Sequence, residues 1–437
     1  MTVEGWELKQ LDEIGAICSG STPSTTNPGY WDGDIIWVTP NDLSKLNTPY
    51  LKTSNKKITQ QGLKSCSAQM IPAGSIILSS RAPIGYVAIA TTECCTNQGC
   101  KSFNLKQEYN SEFVYYNLNF NVDKIKNLGE GTTFAEISKT ALAKVKIPFL
   151  ENKEEQIQIA AILSTTDRAI EQTEAIIAKQ QRIKTGLMQD LLTRGIDEDG
   201  NVRSEATHEF KDSPLGRIPV EWKISSIEEE LIIQTGFTLG EHRRPRKNTH
   251  PYLRLANVQR EEIFLNDLAE IEVERKELEK RLLERNDLLI VEGHANPEEI
   301  GRCSIVQNEA VGLTFQNHLF RLRSKNLKPH FCLAWLNSSF VRSYWRNTCG
   351  TSSGLNTINQ KMLNEILIPV PKSDEQNRIC TLISAKKQLI KETTAHLVIL
   401  RLTKTGLMQD LLTGNVRVTA LLANQNKTPI HETVNLK

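Results

Sequence analysis

The chain has 437 residues, 53 Lys+Arg against 51 Asp+Glu and a formal net charge of +2, enough length for two to four domains that each bury a core. With 24% charged and 39% hydrophobic residues the composition is that of an ordinary globular protein. There is no apolar run of the roughly eighteen residues a membrane span needs, and MTVEGWELKQ lacks the apolar core of a signal peptide, so a cytoplasmic protein with no membrane partner is expected. A balance so near zero argues, taken whole, against a nucleic-acid partner.

Residues 1–150 alternate strand-like runs (IIWV, SIILSS, YVAIA) with turn clusters, which reads as a mixed α/β domain. The Ser/Thr/Pro/Gly stretch Gly20–Asp34 reads as a long structured loop, and loops of this kind carry function. Asn27-Pro28-Gly29-Tyr30 within it resembles the Asn-Pro-Pro-Tyr loop of adenine methyltransferases only superficially; a turn is the better reading. The stretch Asn41–Cys66 holds five Lys and one Asp, a local charge of +4. Nine cysteines include Cys94, Cys95 and Cys100, but no Cys-x-x-Cys occurs and no His lies near. Buried reduced thiols are therefore expected and no metal site.

A heptad pattern follows over residues 151–195. Ile159, Leu163, Thr166, Ile170, Thr173, Ile177, Gln180, Lys184, Leu187 and Leu191 alternate spacings of four and three, the sign of a coiled-coil helix about 60 Å long. Gly195 stands where such a helix ends.

Residues 196–371 repeat the first order of events: Trp222, Gly236, the loop GEHRRPRKNTHPY, then LRLANV. Glu241–Arg260 carries six bases and one acid, or +5, while Glu261–Glu299 carries 13 acids and five bases, or −8. Such asymmetry suits a domain with one nucleic-acid face; ERKELEKRLLER within the acidic stretch reads as an exposed helix with i,i+4 pairs. The second heptad helix spans 372–414, with Ile379, Ile383, Lys386, Ile390, Thr393, Leu397, Leu400, Lys404, Leu407 and Leu411 on its seam, Ser373 and Asp374 as N-cap candidates, and Gly414 at its end. A tail, 415–437, closes the chain.

The chain thus contains itself twice. KTGLMQDLLT occurs at Lys184–Thr193 and again, unchanged, at Lys404–Thr413, 220 residues on. Upstream, IPFLENKEEQ answers IPVPKSDEQ, again placing Glu155-Gln156 and Glu375-Gln376 220 apart. Weaker matches pair Trp6 with Trp222, Gly20 with Gly236 and Asn41 with Asn257, all 216 apart. GSIILSS pairs with NDLLIVE, and Gly129 with Gly350, each followed by an Ile eight residues later. A period this long signals two copies of a domain-plus-helix unit, in which the helix was held fixed and the domain changed. Two helices of matching length pair most simply with each other, in either orientation as far as chain length goes.

Catalytic motifs are missing. There is no P-loop, no Gly-x-Gly-x-x-Gly after a strand and no His-Glu-x-x-His.

Taken together, GSTPSTTNPGYWDGDIIWV, the Ile-Pro segments leading into each helix, the duplicated KTGLMQDLLT and SPLGRIPVEW resemble one family over nearly the whole chain: specificity subunits of type I restriction–modification enzymes. The resemblance implies an α+β protein with two target recognition domains, each reading half of a split duplex DNA sequence. It implies that the two helices pair as an antiparallel coiled coil with pseudo-two-fold symmetry, setting the gap between half-sites. It also implies that two methyltransferase subunits dock on the helices and two translocase–nuclease subunits on that core. S-adenosylmethionine, ATP and magnesium would then belong to those partners, with no cofactor in this chain. For DNA contacts the candidates are Thr22, Ser24, Trp31, Asn41, Arg81 and Gln98 in the first domain. In the second they are Arg243, Arg244, Arg246, Lys247, Arg254, Asn257, Gln316 and His318. Basic loops meet phosphates, while Asn, Gln and Arg read base edges. Trp6 and Trp222 are expected in the core. The competing readings are a self-contained DNA methyltransferase-like enzyme, against which the missing cofactor loop argues, and a coiled-coil assembly protein with no DNA role.

Overall fold

The computed structural model describes residues 4–129, 136–349 and 356–425. The chain divides into two compact units: Met1–Glu174 with Ala395–Lys437, and Ala175–Thr394. Each unit holds one α/β domain and half of each long helix, α1 (Lys153–Thr193) and α2 (Ser373–Leu412).

In the first unit a five-stranded sheet is formed by β1 (Gly15–Ser19), β2 (Tyr50–Leu51), β3 (Ile76–Ser79), β4 (Val87–Ala90) and β5 (Cys100–Leu105), in the order β1-β5-β3-β4-β2. Its neighbours are antiparallel except β2 and β4. Ile17, Ile76, Leu78, Ile89 and Phe103 bury one face against the helix Ser111–Phe120, while Ile77, Ala88, Ala90 and Cys100 bury the other. Covering on both faces explains why IIL runs apolar rather than alternating. A second sheet has Trp31–Val38 at its centre, antiparallel to Lys57–Ile58 and parallel to Cys95–Thr96.

The second unit repeats this plan. Here β6 (Leu231–Thr235), β7 (Leu288–Val291), β8 (Cys303–Ile305) and β9 (Leu319–Ser324) form an antiparallel sheet in the order β6-β9-β7-β8. It packs on two helices through Phe331, Trp335 and Trp345. The second sheet centres on Thr249–Leu253, antiparallel to Ala269–Glu272 and parallel to Thr314–Phe315. GSIILSS and NDLLIVE thus supply the central strands β3 and β7, and Ile137 and Ile358 both bond back to them, through Ser80 O (2.8 Å) and Glu292 O (2.7 Å). Gly350 and the rest of 350–355, like 130–135 and 426–437 of the tail, lie outside the described residues.

The register corrects one expected match. Trp37 stands beside Cys95 as Tyr252 stands beside Thr314, so at this point the copies are 215 residues apart and Asn257 corresponds to Asp42, not Asn41. The hydrogen bonds agree: Thr39 N donates to Asp42 Oδ2 and Arg254 N to Asn257 Oδ1, both at 2.8 Å. A one-residue length difference after Gly20 is invisible where identity is low.

The helices run antiparallel within each unit. In the first, Ile159 and Leu163 of α1 share a core with Leu407, Leu411 and Leu412 of α2. In the second, Leu187 and Leu191 share one with Ile379 and Ile383. Of the expected seam, Ile159, Leu163, Leu191, Ile379, Ile383, Leu397 and Leu411 are buried, whereas Ile170, Ile177, Leu187, Ile390 and Leu407 are half-buried. Burial is complete mostly where a domain also covers the seam, because a two-helix pair alone leaves the flanks of each seam residue open. Gly195 and Gly414 take the left-handed conformation at the helix ends, with φ of +66° and +78°. At the N-terminus of α1, Asn152 Oδ1 accepts from Glu155 N. α2 instead begins at Ser373, and Gln376 N donates to Lys372 O (3.0 Å), so Ser373 and Asp374 sit in the first turn rather than at the cap.

The glutamines of the repeated Glu-Gln pairs join domain to helix identically. Gln156 Nε2 donates to Leu150 O and its Oε1 accepts from Asn110 N; Gln376 Nε2 donates to Pro371 O and its Oε1 accepts from Lys328 N, at 2.8–2.9 Å. Both preceding glutamates are 2% exposed, and each is met by an arginine from beyond the end of the other helix, Arg417 for Glu155 and Arg203 for Glu375.

ERKELEKRLLER does not form the expected exposed helix: only Arg275–Leu278 is helical. Tertiary anchors override the local pattern, since Leu283 N bonds Leu313 O and Arg281 Nε bonds Thr235 O. Trp6 and Trp222 are core residues at 6% and 1% exposure.

Candidate nucleic-acid interface

In both units the loop after the first sheet strand passes under the second sheet at a glycine. A Cβ on Gly20 would collide with the carbonyls of Thr96 and Asn97, and one on Gly236 with those of Phe315 and Gln316. The close approach fixes where each loop emerges.

The first loop is held by neutral groups. Trp31 Nε1 donates to Ser24 O (3.1 Å) and Trp37 Nε1 to Ser21 O (2.9 Å), with the two indoles edge to face at 5.1 Å. Lys56 lies over the Trp31 ring at 5.5 Å. Asn27 Oδ1 accepts from Gly29 N (3.0 Å), so the Asn-Pro-Gly-Tyr segment is a turn. Thr22 donates to Gln98. Asn41 and Arg81 line one cleft of about 580 Å³ with Thr39 and Asn97. Arg81 pairs with Glu136 at 2.9 Å, and the same carboxylate lies 3.8 Å from the buried Lys101 ammonium. Burial pulls Lys101 below its ordinary pKa, and Glu136 works against that. The six first-domain candidates therefore fall into three local groups, Ser24 with Trp31, Thr22 with Gln98, and Asn41 with Arg81.

The second loop is held by charge. Glu272 accepts the backbone N–H of Arg246, Lys247 and Asn248 at 2.8–2.9 Å, and these bonds hold its carboxyl below the usual glutamate range. Arg243 and Arg281 each stack 4.7 Å from the centre of the buried Phe237 ring, and Arg243 also bonds Glu277 (2.9 Å). Much of the acidic stretch thus folds back onto bases: Asp267 takes Arg254 at 2.6 Å, and Asp287 takes Arg323 at 2.7 Å. The raw +5 and −8 overstate the field. Among the described residues Arg244 pairs with Glu241 alone, and the side chains of Arg246 and Lys247 have no ion-pair or hydrogen-bond partner; all three are exposed.

Three second-domain candidates are braces. Asn257 is 4% exposed, its Nδ2 bonded to Phe264 O and Asp267 O, its Oδ1 capping Arg254. Gln316 is buried at the close crossing under Gly236, and Arg243 is spent on Phe237 and Glu277. His318 keeps an exposed ring and bonds Glu292 at 2.5 Å. The sequence did not single out Asn97, Lys101, Glu136, Phe237, Glu272 or Arg281. Only Glu272 left a trace, as an acid on a strand after a basic loop.

Among the described residues no cluster of His, Cys, Asp or Glu could hold a metal, and no helix is long and apolar enough to cross a membrane. All nine cysteines are free, and burial pushes Cys94 and Cys95 up to about 12, so these two thiols stay protonated and inert.

The chain is 28% identical over 425 residues to a type I restriction enzyme specificity subunit, MjaIX, of Methanocaldococcus jannaschii, covering 95% of this chain and 94% of that one. Among solved structures it resembles the S subunit of a type I restriction–modification system from M. genitalium, with a TM-score of 0.54 at 17% identity, covering 94% of this chain and 99% of that one. It also resembles a chain from a structure of type I R-M complex assembly, with a TM-score of 0.61 at 17% identity, covering 95% and 100%. The model of the type I restriction modification DNA specificity domain matches twice, over residues 3–180 and 219–397, and the chain belongs to that family.

Proposed function

We propose that the chain is the DNA sequence-specificity subunit of a type I restriction–modification complex, each domain reading half of a bipartite duplex target. The observation that carries this is the double match of the specificity-domain family to the two copies, whose scaffolds agree while their loops differ. In this reading Asn41, Arg81, Gln98 and His318 offer base-edge contacts. Arg244, Arg246 and Lys247 offer phosphate contacts, which set affinity and register but not sequence.

The paired helices set the gap between half-sites and dock two methyltransferase subunits, onto which two translocase–nuclease subunits assemble. Exposed apolar side chains off the seam support such docking: Ile176, Ile183, Leu382 and Leu389 in the second unit, Val398, Ile399 and Leu402 in the first. Catalysis lies with the partners, which bring S-adenosylmethionine, ATP and magnesium. This chain contributes the address. Methylome sequencing of cells with and without the chain tests this. A split adenine-methylated motif that disappears on deletion is the expected result; an unchanged methylation pattern overturns it.

A further inference from the structure

We propose that Glu261 is a positioning residue, whose carboxylate pins the second recognition domain to the helix pair at the seam and so sets how sharply the half-site gap is discriminated. The proposal rests on the bipartite reading above.

Lys184 and Lys404 are the same residue of the repeated KTGLMQDLLT, and Asp167 and Lys387 are likewise 220 residues apart. In the first unit the node closes within the helices. Lys404 Nζ meets Asp167 Oδ1 at 2.6 Å, and Asp167 also accepts the Tyr116 hydroxyl of the domain at 2.8 Å. In the second unit the acid has become Lys387, so two lysines face the same node. Like charges there repel, and the missing carboxylate comes from the domain. Glu261 lies 2.8 Å from Lys387 Nζ and 3.7 Å from Lys184 Nζ.

Its backbone supports a dedicated role. Glu261 sits with Arg260 at the tip of the hairpin Val258–Gln259/Glu262–Ile263, with φ of +67°. Gly or Asn is the favoured residue in that conformation, so a glutamate there keeps local strain in exchange for its side chain. The tip is rigid, since Glu261 N bonds Cys303 O of β8 (2.9 Å), and Arg260 bonds Asn337 Oδ1 and Glu298 O. A side chain on a rigid tip of the domain, gripping both helices, transmits the orientation of the helix pair to that domain.

The copies suggest the separating experiment. Glu261→Gln removes the node; adding Lys387→Asp rebuilds it inside the helices, as Lys404–Asp167 does in the first unit, but leaves the domain untied. With the full complex on its methylated target, gap discrimination is the affinity ratio between the native spacing and spacings one base pair longer or shorter. For Glu261→Gln it is expected to fall on the order of tenfold, with affinity for a duplex carrying only the second half-site unchanged. The thermal midpoint is expected to drop by about 2–4 °C. The double variant should recover the midpoint and not the discrimination. Recovery of both reduces Glu261 to charge neutralisation and overturns the proposal, as does unchanged discrimination in Glu261→Gln. Glu261→Gly, which relieves the backbone while removing the carboxylate, repeats the test if the Gln variant folds poorly. A wild-type complex without any gap preference instead overturns the bipartite reading itself, and this proposal with it.

Discussion

The two loops offered to DNA leave their sheets at equivalent glycines yet are secured by opposite chemistry. The first is fastened by indole N–H groups on carbonyls, Trp31 to Ser24 and Trp37 to Ser21. The second is fastened by the Glu272 carboxylate on three amides and by two guanidiniums on Phe237. Away from the loops the copies keep identical joints, as Gln156 and Gln376 show. What a duplicated reader must preserve is the crossing that aims the loop and the joint that ties domain to helix. How the loop is held can change freely, and with it what the loop presents.

The joints themselves give the largest test. Glu375 is buried and accepts from Arg203, from Trp222 Nε1 (3.1 Å) and from Ile196 N (3.0 Å). Glu155 is equally buried but is met by Arg417, whose side chain is 29% exposed, while the Trp6 indole N–H has no partner among the described residues. Removing one member of a buried pair costs about 3–5 kcal/mol, and without Glu375 the buried Arg203 keeps, among the described residues, only the half-exposed Glu221, 3.4 Å away. Glu375→Gln is expected to cost that much in urea denaturation and Glu155→Gln about half, because Arg417 can turn to water. Equal losses would show that the joints are energetically alike and that the asymmetry in their partners is idle.

Next in size is binding. Replacing Arg244, Arg246 and Lys247 together by Gln should lower the slope of log affinity against log salt by about 2–3, near 0.9 for each phosphate no longer neutralised, with little change in stability. Arg243→Gln should do the reverse, destabilising the loop through Phe237 and Glu277 with little change in slope. An unchanged slope for the triple variant removes this loop from the interface.

That division is only half legible in the sequence. The repeat, the heptads and the terminal glycines can be read directly because period and spacing are local properties. The candidate site is legible as regions, not as residues. Arg243 and Arg246 look alike in HRRPRK, and only the fold reveals that one covers Phe237 while the other faces solvent. Asn257 carries the signature of a base reader, yet it stands opposite Asp42 of the first copy and serves as a capping brace. Glu261 looks like one of thirteen acids in a charged stretch, since its meaning lies in two helices distant in sequence.

The smallest expected effect separates the loops by pH. The Glu272 carboxyl, bonded by three amides, is held below its ordinary value of 4.5. A group with a lowered folded pKa stabilises fully above its unfolded value and loses that contribution as pH falls through the folded one. The second loop should therefore stay fastened at neutral pH and loosen below about pH 4.5, as measured by hydrogen exchange at Arg246, Lys247 and Asn248. The fastenings of the first loop, an indole donor on a carbonyl in both cases, have nothing to titrate in that range, and its exchange should follow only the intrinsic pH dependence. Glu272→Gln should move the Arg246–Asn248 amides to their loosened state at neutral pH and remove most of their pH dependence beyond the intrinsic one, leaving the part that the Arg243–Glu277 pair contributes. If both loops loosen together on acidification, the cause is a global loss of packing, and the contrast between a neutral and a charged fastening fails.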